Sequence, residues 1–254
     1  IKMFNYQTGR KVVKGVFIPL YHPKIINEAL VPKSGPIILC GNHLHVWDQV
    51  PVICSTKRTI HWMAKKEYFD SNMAWMYKGF ECIPVDRYNN PHESKEIAIK
   101  YLKNGEAVGI FPEGTRNRLT FAKKNYLEKL ENYRKFLYEN YSNDKAVLYN
   151  NEYYVEMKKA QEKLTEVKKD LEKRKITDYD ENDILLPFKF GAVKMAQETN
   201  SLIVPFGITG DYKVNNNNLT LRYGTPINVS NMDLEEANNI LRNDIKRLVL
   251  ENRK

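Results

Sequence analysis

The sequence has few cysteines and no long apolar run. Its 254 residues include three cysteines, an odd number, which are widely spaced and lie beside apolar neighbours. This pattern gives no indication of a disulfide framework or a CxxC metal site, and it favours buried thiols in a reducing compartment. No stretch approaches the ~20 apolar residues that a membrane-spanning helix needs, and no signal peptide with a long apolar centre is present. These absences favour a globular protein with a core of ordinary size.

Several motifs that carry chemistry are also absent. There is no G-x-S-x-G turn for a serine nucleophile, and no histidine or cysteine spacing typical of metal ligands. The combination of aromatic and basic residues that is typical of RNA-binding proteins is missing as well. We therefore expect no bound metal, no cofactor and no nucleic-acid partner.

Basic residues are in excess, and they are unevenly distributed. The net charge is +9, yet residues 119–185 hold 14 basic and 14 acidic side chains, so the whole excess lies in the rest of the chain. A basic surface favours acidic partners: anionic phospholipid, nucleic acid, an acidic carrier protein or a phosphorylated substrate. A nucleic-acid-binding or scaffold protein that uses 119–185 as its contact surface is an alternative of a different class. The neutrality of that segment argues against it.

Short apolar runs separated by helix-like stretches predict the fold class. The runs are PIILC, CIPV, AVGIF, LIVPFGI and LTLRYG, at 36–40, 82–85, 107–111, 202–208 and 219–224. Runs of this length and composition predict strands buried on both faces of a mostly parallel sheet. Residues 92–105 and 191–200 predict flanking helices, and Asp233 is the predicted N-cap of a last helix. The predicted class is α/β, with a mostly parallel central sheet flanked by helices.

The N-terminal residues 1–34 form a separate predicted element. Within KVVKGVFIPLYHP, apolar and basic residues alternate until Pro19, where we expect the pattern to be interrupted. This composition predicts a short amphipathic element at a surface or a membrane interface. A helix that packs on the domain is an equal alternative.

Residues 119–185 are predicted to form a helical hairpin inserted into the α/β domain, which comprises 35–118 and 186–254. Apolar residues recur in this segment at spacings of four and three, as in a coiled coil, and the polar NYSNDK at 140–145 is suited to a turn. The hairpin could cover the active site, bind a partner or be a tolerated surface insertion.

Polar residues follow three of the predicted strands. NHLHVWD follows PIILC, DR follows CIPV, and PEGTRNR follows AVGIF. Ligands of open α/β sheets bind beyond the carboxyl ends of the strands. We therefore expect these three clusters to converge on one cleft.

His43 and Asp48 are predicted to act as a base and its supporting carboxylate. A carboxylate that accepts a hydrogen bond from one imidazole nitrogen supports the charge that forms when the other nitrogen takes a proton. Cys40 lies inside the predicted strand and no serine nucleophile is evident, so the base would act directly on a substrate hydroxyl. Taken alone, this pair is equally consistent with a structural histidine.

The other two clusters supply groups suited to an anion. Arg87 lies at a strand end, and FPEGTRNR offers Gly114 for close approach of the backbone and Thr115 as a hydroxyl donor. Arg116 and Arg118 add guanidinium groups, which match phosphate oxygens as paired donors. Several arginines beside a glycine turn and a histidine favour an anionic ligand.

The sequence resembles the glycerolipid acyltransferase family, whose best-known members are 1-acyl-sn-glycerol-3-phosphate acyltransferases. NHLHVWD, GFECIPVDR, FPEGTRNR and IVPFGI occur in the order of the four blocks of that family, and VPKSGPIILCGNH, MAKKEYF and LPFKFGAVKMA resemble its connecting stretches. The resemblance covers about residues 31–118 and 186–230.

This resemblance implies a reaction. His43 would deprotonate the free hydroxyl of 1-acyl-sn-glycerol 3-phosphate, and Asp48 would orient the imidazole. The alkoxide would attack an acyl thioester, from acyl-CoA or acyl carrier protein, to give phosphatidic acid without an acyl-enzyme intermediate. Glycerol 3-phosphate or another lysophospholipid is the alternative acceptor.

The resemblance also implies the residues that bind the substrate. Arg87 and Arg116 would hold the acceptor phosphate, and Lys65 falls where the family often has a lysine on the phosphate side. Glu113 and Gly114 would shape the turn. The implied binding residues are Lys65, Arg87, Glu113, Gly114, Thr115 and Arg116.

The sequence departs from the family at position 45, which is His45 where the family commonly has serine. Two imidazoles therefore compete for the role of base, and the spacing to Asp48 favours His43. The long segment after Arg118 leaves open how the acyl donor approaches. The basic surface and KVVKGVFIPL together predict peripheral attachment to an anionic membrane surface, on the cytoplasmic side.

Overall fold

Seven strands and eight α-helices are formed by the residues that the computed structural model describes, which are 4–86, 92–140, 152–176, 180 and 184–254. The strands are β1 (Lys24–Ile26), β2 (Ile37–Gly41), β3 (Ile60–Lys65), β4 (Ile83–Val85), β5 (Ala107–Ile110), β6 (Leu202–Thr209) and β7 (Thr220–Tyr223). The helices are α1 (Tyr6–Tyr21), α2 (Gln49–Ser55), α3 (Ala74–Gly79), α4 (Glu93–Lys103), α5 (Arg118–Asn140), α6 (Glu152–Lys173), α7 (Gly191–Thr199) and α8 (Leu234–Glu251). They belong to two units: Ile1–Thr115 with Phe188–Lys254, called here the α/β unit, and Arg116–Pro187, the helical unit.

The α/β unit contains one sheet, with strand order β1-β7-β6-β2-β5-β3-β4. Central strand β2 pairs in parallel with β5 and β6, and β3 pairs in parallel with β5 and β4. Strand β7 is antiparallel to β6 and parallel to β1, so these two strands run opposite to the other five. The predicted α/β class with a mostly parallel sheet is confirmed.

Strand β2 runs through the core and ends at the loop that contains His43. All of its residues are buried, as expected for a central strand covered on both faces. Its last residue, Gly41, passes beside the ring of Phe206, and a Cβ at this position would lie only 2.0 Å from a ring carbon. Only glycine therefore allows the chain to leave the sheet at this point.

Strand β1 is not predicted from the sequence. It is three residues long, and such a short strand shows neither alternation nor a buried run. Its residues pair with the last strand instead, Lys24 with Thr220 and Ile26 with Arg222. A long-range partner therefore stabilises a conformation that the local pattern does not encode.

Helix α1 continues through Pro19, so the predicted interruption there is wrong. Proline has no N–H to donate to the carbonyl of Gly15, four residues earlier, so the helix continues through Pro19 with one intrahelical hydrogen bond fewer, and it ends only at His22, whose φ is 43°. One face packs into the core of the α/β unit through Tyr6 and Phe17. Another face exposes three apolar side chains: Val12, Val16 and Leu20. No helix among the described residues is both long and apolar enough to cross a membrane.

The last helix of the α/β unit begins as predicted. Asp233 is the N-cap of α8, and its carboxylate accepts hydrogen bonds from the backbone N–H groups of Glu235 and Glu236. The cap satisfies two of the donors that a helix leaves unpaired at its start.

The helical unit includes the whole segment for which a hairpin is predicted. Helices α5 and α6 pack against each other, and Lys129 of α5 pairs with Glu156 of α6. Most of the predicted turn lies outside the described residues. The small apolar core of this unit contains Leu119, Ala122, Leu164, Leu171 and Leu186.

Candidate active site

The loop after β2 is fixed by Asn42, whose side chain is buried. Its Oδ1 accepts a hydrogen bond from the backbone N–H of Ile208 at 2.7 Å, and its Nδ2 donates to the carbonyl oxygen of Ile208 at 2.9 Å. This reciprocal pair ties the loop to β6 just beyond the end of β2. The next residue, His43, therefore starts from a defined position at the carboxyl end of the sheet.

His43 and Asp48 lie in direct contact. Nδ1 of His43 is 2.9 Å from Oδ2 of Asp48; the Asp48 side chain is fully buried, and that of His43 is 19% exposed. An ionised carboxylate only accepts hydrogen bonds, so the contact requires a proton on Nδ1. Among the described residues of the α/β unit, none forms a hydrogen bond with Nε2. That nitrogen is left to accept a proton from a ligand.

The Asp48 carboxylate accepts three further hydrogen bonds. Oδ2 accepts the backbone N–H groups of Leu44 and His45, each at 2.7 Å, and Oδ1 accepts the hydroxyl of Tyr212 at 2.8 Å. Asp48 immediately precedes α2, but its side chain does not cap that helix and turns back to the loop instead. Four donors explain how this carboxylate can be buried without a lysine or arginine partner among the described residues.

The ring of His45 has different surroundings. It stacks on Tyr212 with centroids 4.5 Å apart, and its Nδ1 accepts the backbone N–H of Trp47 at 3.3 Å. The Asp48 carboxylate meets the backbone of His45 and the ring of His43. This arrangement favours the predicted choice of His43 as the base.

The turn after β5 reaches the same loop through Glu113. This side chain is 3% exposed, and its Oε1 accepts the backbone N–H of His43 at 2.7 Å. Gly114 follows with a φ of 69°, a left-handed conformation that favours glycine. A Cβ on Gly114 would also lie 2.9 Å from the side chain of Lys189. Two of the three predicted clusters therefore converge.

The third cluster follows β4, and only part of it lies among the described residues. Lys65 is the exposed last residue of β3, and its Cα pairs with that of Val85 in β4. The neighbouring Lys66 forms an ion pair with Asp86, with Nζ and Oδ2 2.9 Å apart, and this contact raises the pKa of the lysine. Arg87 lies outside the described residues.

The remaining predicted residues lie at the boundary of the two units. Thr115 is the last residue of the first segment of the α/β unit, whereas Arg116 is the first residue of the helical unit and Arg118 begins α5. The binding roles of these residues, of Arg87 and of Lys65 stay predictions.

The three cysteines are poor nucleophiles. Burial raises the pKa of Cys40 far above its usual value, that of Cys54 to about 11 and that of Cys82 to about 12. Their thiols therefore stay protonated near neutral pH, and a thiolate is the reactive form. Within the described ranges, no group of three His, Cys, Asp or Glu side chains could hold a metal ion.

Tyr212 also belongs to the site, although the sequence does not single it out. It lies three residues beyond the carboxyl end of β6, and functional side chains of parallel sheets are found in this position. Burial of its hydroxyl, together with the charge of Asp48, raises its pKa well above the usual value. The hydroxyl therefore remains protonated and can donate to the carboxylate.

The chain is similar in sequence to two curated proteins. The chain is 36% identical over 95 residues to 1-acyl-sn-glycerol-3-phosphate acyltransferase of Bacillus subtilis (strain 168), a match that covers 37% of the chain and 48% of the relative. It is 29% identical over 91 residues to the protein of the same name from Borreliella burgdorferi (strain ATCC 35210 / DSM 4680 / CIP 102532 / B31), over 35% of the chain and 36% of the relative. The chain therefore matches about half or less of the length of these curated relatives.

Among solved structures, a similar fold is that of the 1-acyl-sn-glycerophosphate (LPA) acyltransferase PlsC from Thermotoga maritima. The TM-score is 0.57 at 16% sequence identity, and the match covers 98% of this chain and 83% of that one. This similarity supports the fold. The acyltransferase family model matches residues 22–209, which include both His43 and Glu113. The resemblance noted from the sequence blocks is confirmed: the chain belongs to the acyltransferase family.

Proposed function

We propose that the chain transfers an acyl group from an acyl thioester to the free hydroxyl of 1-acyl-sn-glycerol 3-phosphate, giving phosphatidic acid. The observation that carries this proposal is the contact of His43 Nδ1 with the buried carboxylate of Asp48. It leaves Nε2 as the proton acceptor at the carboxyl end of the sheet, where ligands of such folds bind. The names of the two curated relatives support this choice of acceptor.

The reaction needs one base and no covalent intermediate. Nε2 of His43 takes the proton of the acceptor hydroxyl as its oxygen attacks the thioester carbonyl carbon. The new C–O bond forms, the C–S bond breaks, and the proton on Nε2 passes to the departing thiolate. Asp48 stabilises the imidazolium between these two transfers.

Direct transfer is favoured because the three cysteines are poor nucleophiles. The three thiols are kept protonated by burial. A thioester is already an activated acyl donor, so the proposed reaction requires no metal and no cofactor. Acyl-CoA and acyl carrier protein are both acidic donors, which suits the net charge of +9.

The acceptor phosphate is assigned to the arginines. Arg87 and Arg116 supply guanidinium groups suited to phosphate oxygens, and Lys65 adds an ammonium group at the end of β3. Glu113 and Gly114 shape the turn that leads to Thr115, whose hydroxyl is a further donor. These roles agree with the sequence blocks that carry the family resemblance.

We also propose peripheral attachment to the cytoplasmic side of an anionic membrane, where both substrates partition. The exposed apolar face of α1, formed by Val12, Val16 and Leu20, is flanked by the exposed Lys11 and Lys14. An amphipathic helix of this composition inserts its apolar face among lipid headgroups while its lysines meet anionic lipid.

The test is an acyl-transfer assay with the whole chain. Labelled acyl-CoA and labelled acyl carrier protein are each offered with 1-acyl-sn-glycerol 3-phosphate, glycerol 3-phosphate, lysophosphatidylcholine and a monoacylglycerol. We expect the highest kcat/KM with 1-acyl-sn-glycerol 3-phosphate. If activity were highest with glycerol 3-phosphate or lysophosphatidylcholine, that compound would be the acceptor instead. Activity on monoacylglycerol alone would contradict the phosphate-binding role of the arginines.

A further inference from the structure

Tyr212 meets the oxygen of Asp48 that faces away from the base. Its hydroxyl donates to Oδ1 at 2.8 Å, whereas Oδ2 accepts the hydrogen bonds from the loop and from Nδ1 of His43. We propose that Tyr212 is a positioning residue for the reaction: by occupying Oδ1, it holds Oδ2 towards the ring of His43. This inference rests on the proposed role of His43 as the base.

The argument begins with the symmetry of a carboxylate. Its two oxygens are chemically equivalent, and either could accept the backbone N–H groups of Leu44 and His45. Among the described residues of the α/β unit, Tyr212 supplies the one hydrogen bond to Oδ1. Without that hydroxyl, Oδ1 is buried and unpaired, and a partial rotation that lets Oδ1 share the loop N–H groups would draw Oδ2 away from Nδ1 of His43. The hydroxyl therefore makes the two oxygens different.

The position of the Tyr212 hydroxyl is itself well defined. The ring stacks on His45, and its centroid lies 6.3 Å from that of Phe17, 6.2 Å from that of Tyr21 and 6.2 Å from that of Trp47. These contacts involve the ring and not the hydroxyl. A phenylalanine at 212 would keep them, so Tyr212→Phe removes the hydrogen bond and leaves the packing in place.

The first experiment is steady-state kinetics of Tyr212→Phe with acyl-CoA and 1-acyl-sn-glycerol 3-phosphate. We expect kcat to fall about tenfold, the effect of losing one hydrogen bond to a charged group, with both KM values within about twofold of wild type. The matched control is Tyr21→Phe, which removes a hydroxyl from the same aromatic cluster without touching Asp48. An unchanged kcat in Tyr212→Phe, or a loss that appears only in KM, would overturn the inference.

A double-mutant cycle tests whether Tyr212 acts through Asp48. The Asp48→Asn background replaces the carboxylate by an amide. In this background, Tyr212→Phe should lower kcat by less than twofold. If the effects of the two substitutions multiply fully, Tyr212 acts by another route and the inference fails.

Nitrogen-15 NMR of the His43 ring gives a readout that does not depend on turnover. Wild type should show the Nδ1–H tautomer, and Tyr212→Phe should increase the Nε2–H tautomer; identical spectra would overturn the inference. Wild type alone provides a further check. The Tyr212 hydroxyl donates to Asp48, so it should not lose its proton near pH ~10, where a free tyrosine does. Normal ionisation there would overturn it even if the phenylalanine variant did not fold.

These outcomes separate the two proposals. If wild type is inactive with every acceptor but the tautomer changes in Tyr212→Phe, the proposed function fails and the positioning role stands. If wild type is active and neither kcat nor the tautomer responds to Tyr212→Phe, the proposed function stands and the positioning role fails.

Discussion

The imidazole of His43 lies flat against the ring of Phe111, with centroids 4.1 Å apart and an angle of 7° between the planes. Phe111 in turn stacks on Trp62, at 5.1 Å. The proposed base is therefore held on one face by packed aromatic rings and at one nitrogen by a carboxylate. Two independent contacts fix the direction in which Nε2 points.

Phe111→Leu should weaken this restraint without opening the core widely. An aromatic pair contributes about 0.5–1.5 kcal/mol beyond its buried area, so we expect a fall in kcat of about threefold to tenfold. Phe190→Leu, at an exposed position, is the matched control. Steady-state kinetics of both variants checks the prediction, and a kcat for Phe111→Leu equal to that of the control would contradict it.

His43→Ala should remove most turnover, because a general base typically contributes about 10²–10⁴-fold to the rate. His45→Ala should have a milder effect, since the ring of His45 stacks on Tyr212 and it is the ring of His43 that contacts the Asp48 carboxylate. Circular dichroism and thermal unfolding are the controls that check whether both variants are folded. If His45→Ala were the more damaging substitution, the assignment of the base would be wrong.

Glu113→Ala should affect both stability and turnover. It leaves the backbone N–H of His43 without its buried acceptor, a loss of about 1–3 kcal/mol in the free energy of unfolding. Glu113→Gln keeps a carbonyl oxygen that can accept the same hydrogen bond, so it should be milder in both respects. Urea unfolding and kcat measured on the two variants test this order, and equal losses would indicate that the charge, not the hydrogen bond, matters.

Gly114→Ala and Gly35→Ala should lower the free energy of unfolding by similar amounts, but only Gly114→Ala should lower kcat. Both Gly114 and Gly35 have left-handed φ values, 69° and 79°, but the space around Gly35 is open. Alanine at either position should cost roughly 1–2 kcal/mol of backbone strain. Only Gly114→Ala distorts the turn beside His43, so only this variant should lose several-fold in kcat. Comparable kcat values for both variants would argue against a role for the turn.

Arg116→Ala should raise the KM of the acceptor more than the KM of the acyl donor, because a lost phosphate contact weakens binding of the acceptor. Arg134→Ala, at an exposed position within α5, controls for the removal of one positive charge. Kinetics with each substrate varied in turn separates the two constants. Equal increases in both constants would count against a phosphate-binding role.

The sequence predicts much of the fold because the central strands are continuous apolar runs. Strand β2 is buried along its whole length, and β5 and β6 are buried except for one partly exposed end residue each, so composition alone identifies them. The two strands that run in the opposite direction are harder to predict. Strand β1 is too short to show a pattern, and the direction of β7 depends on the path of the chain before it.

Some residues of the site can likewise be predicted from the sequence, whereas others cannot. The pair formed by His43 and Asp48 is predictable because the two residues are only five positions apart, within one loop. Glu113 is recognisable as part of a block, but its hydrogen bond to the backbone of His43 depends on register between β2 and β5. Tyr212 lies 164 residues from Asp48, and a tyrosine after a strand carries no local mark of its partner. Contacts made across the sheet are the part that a single sequence does not reveal.

The pairing of β1 with β7 has a consequence for synthesis of the chain. Lys24 lies opposite Thr220, so this edge of the sheet cannot close until nearly two hundred intervening residues have left the ribosome. Contacts so distant in sequence slow folding, because the entropy of closing the loop is lost before the contacts form. During translation the segment that contains β1 therefore lacks its partner strand β7. Chaperone binding at this stage would protect the segment from association with other nascent chains.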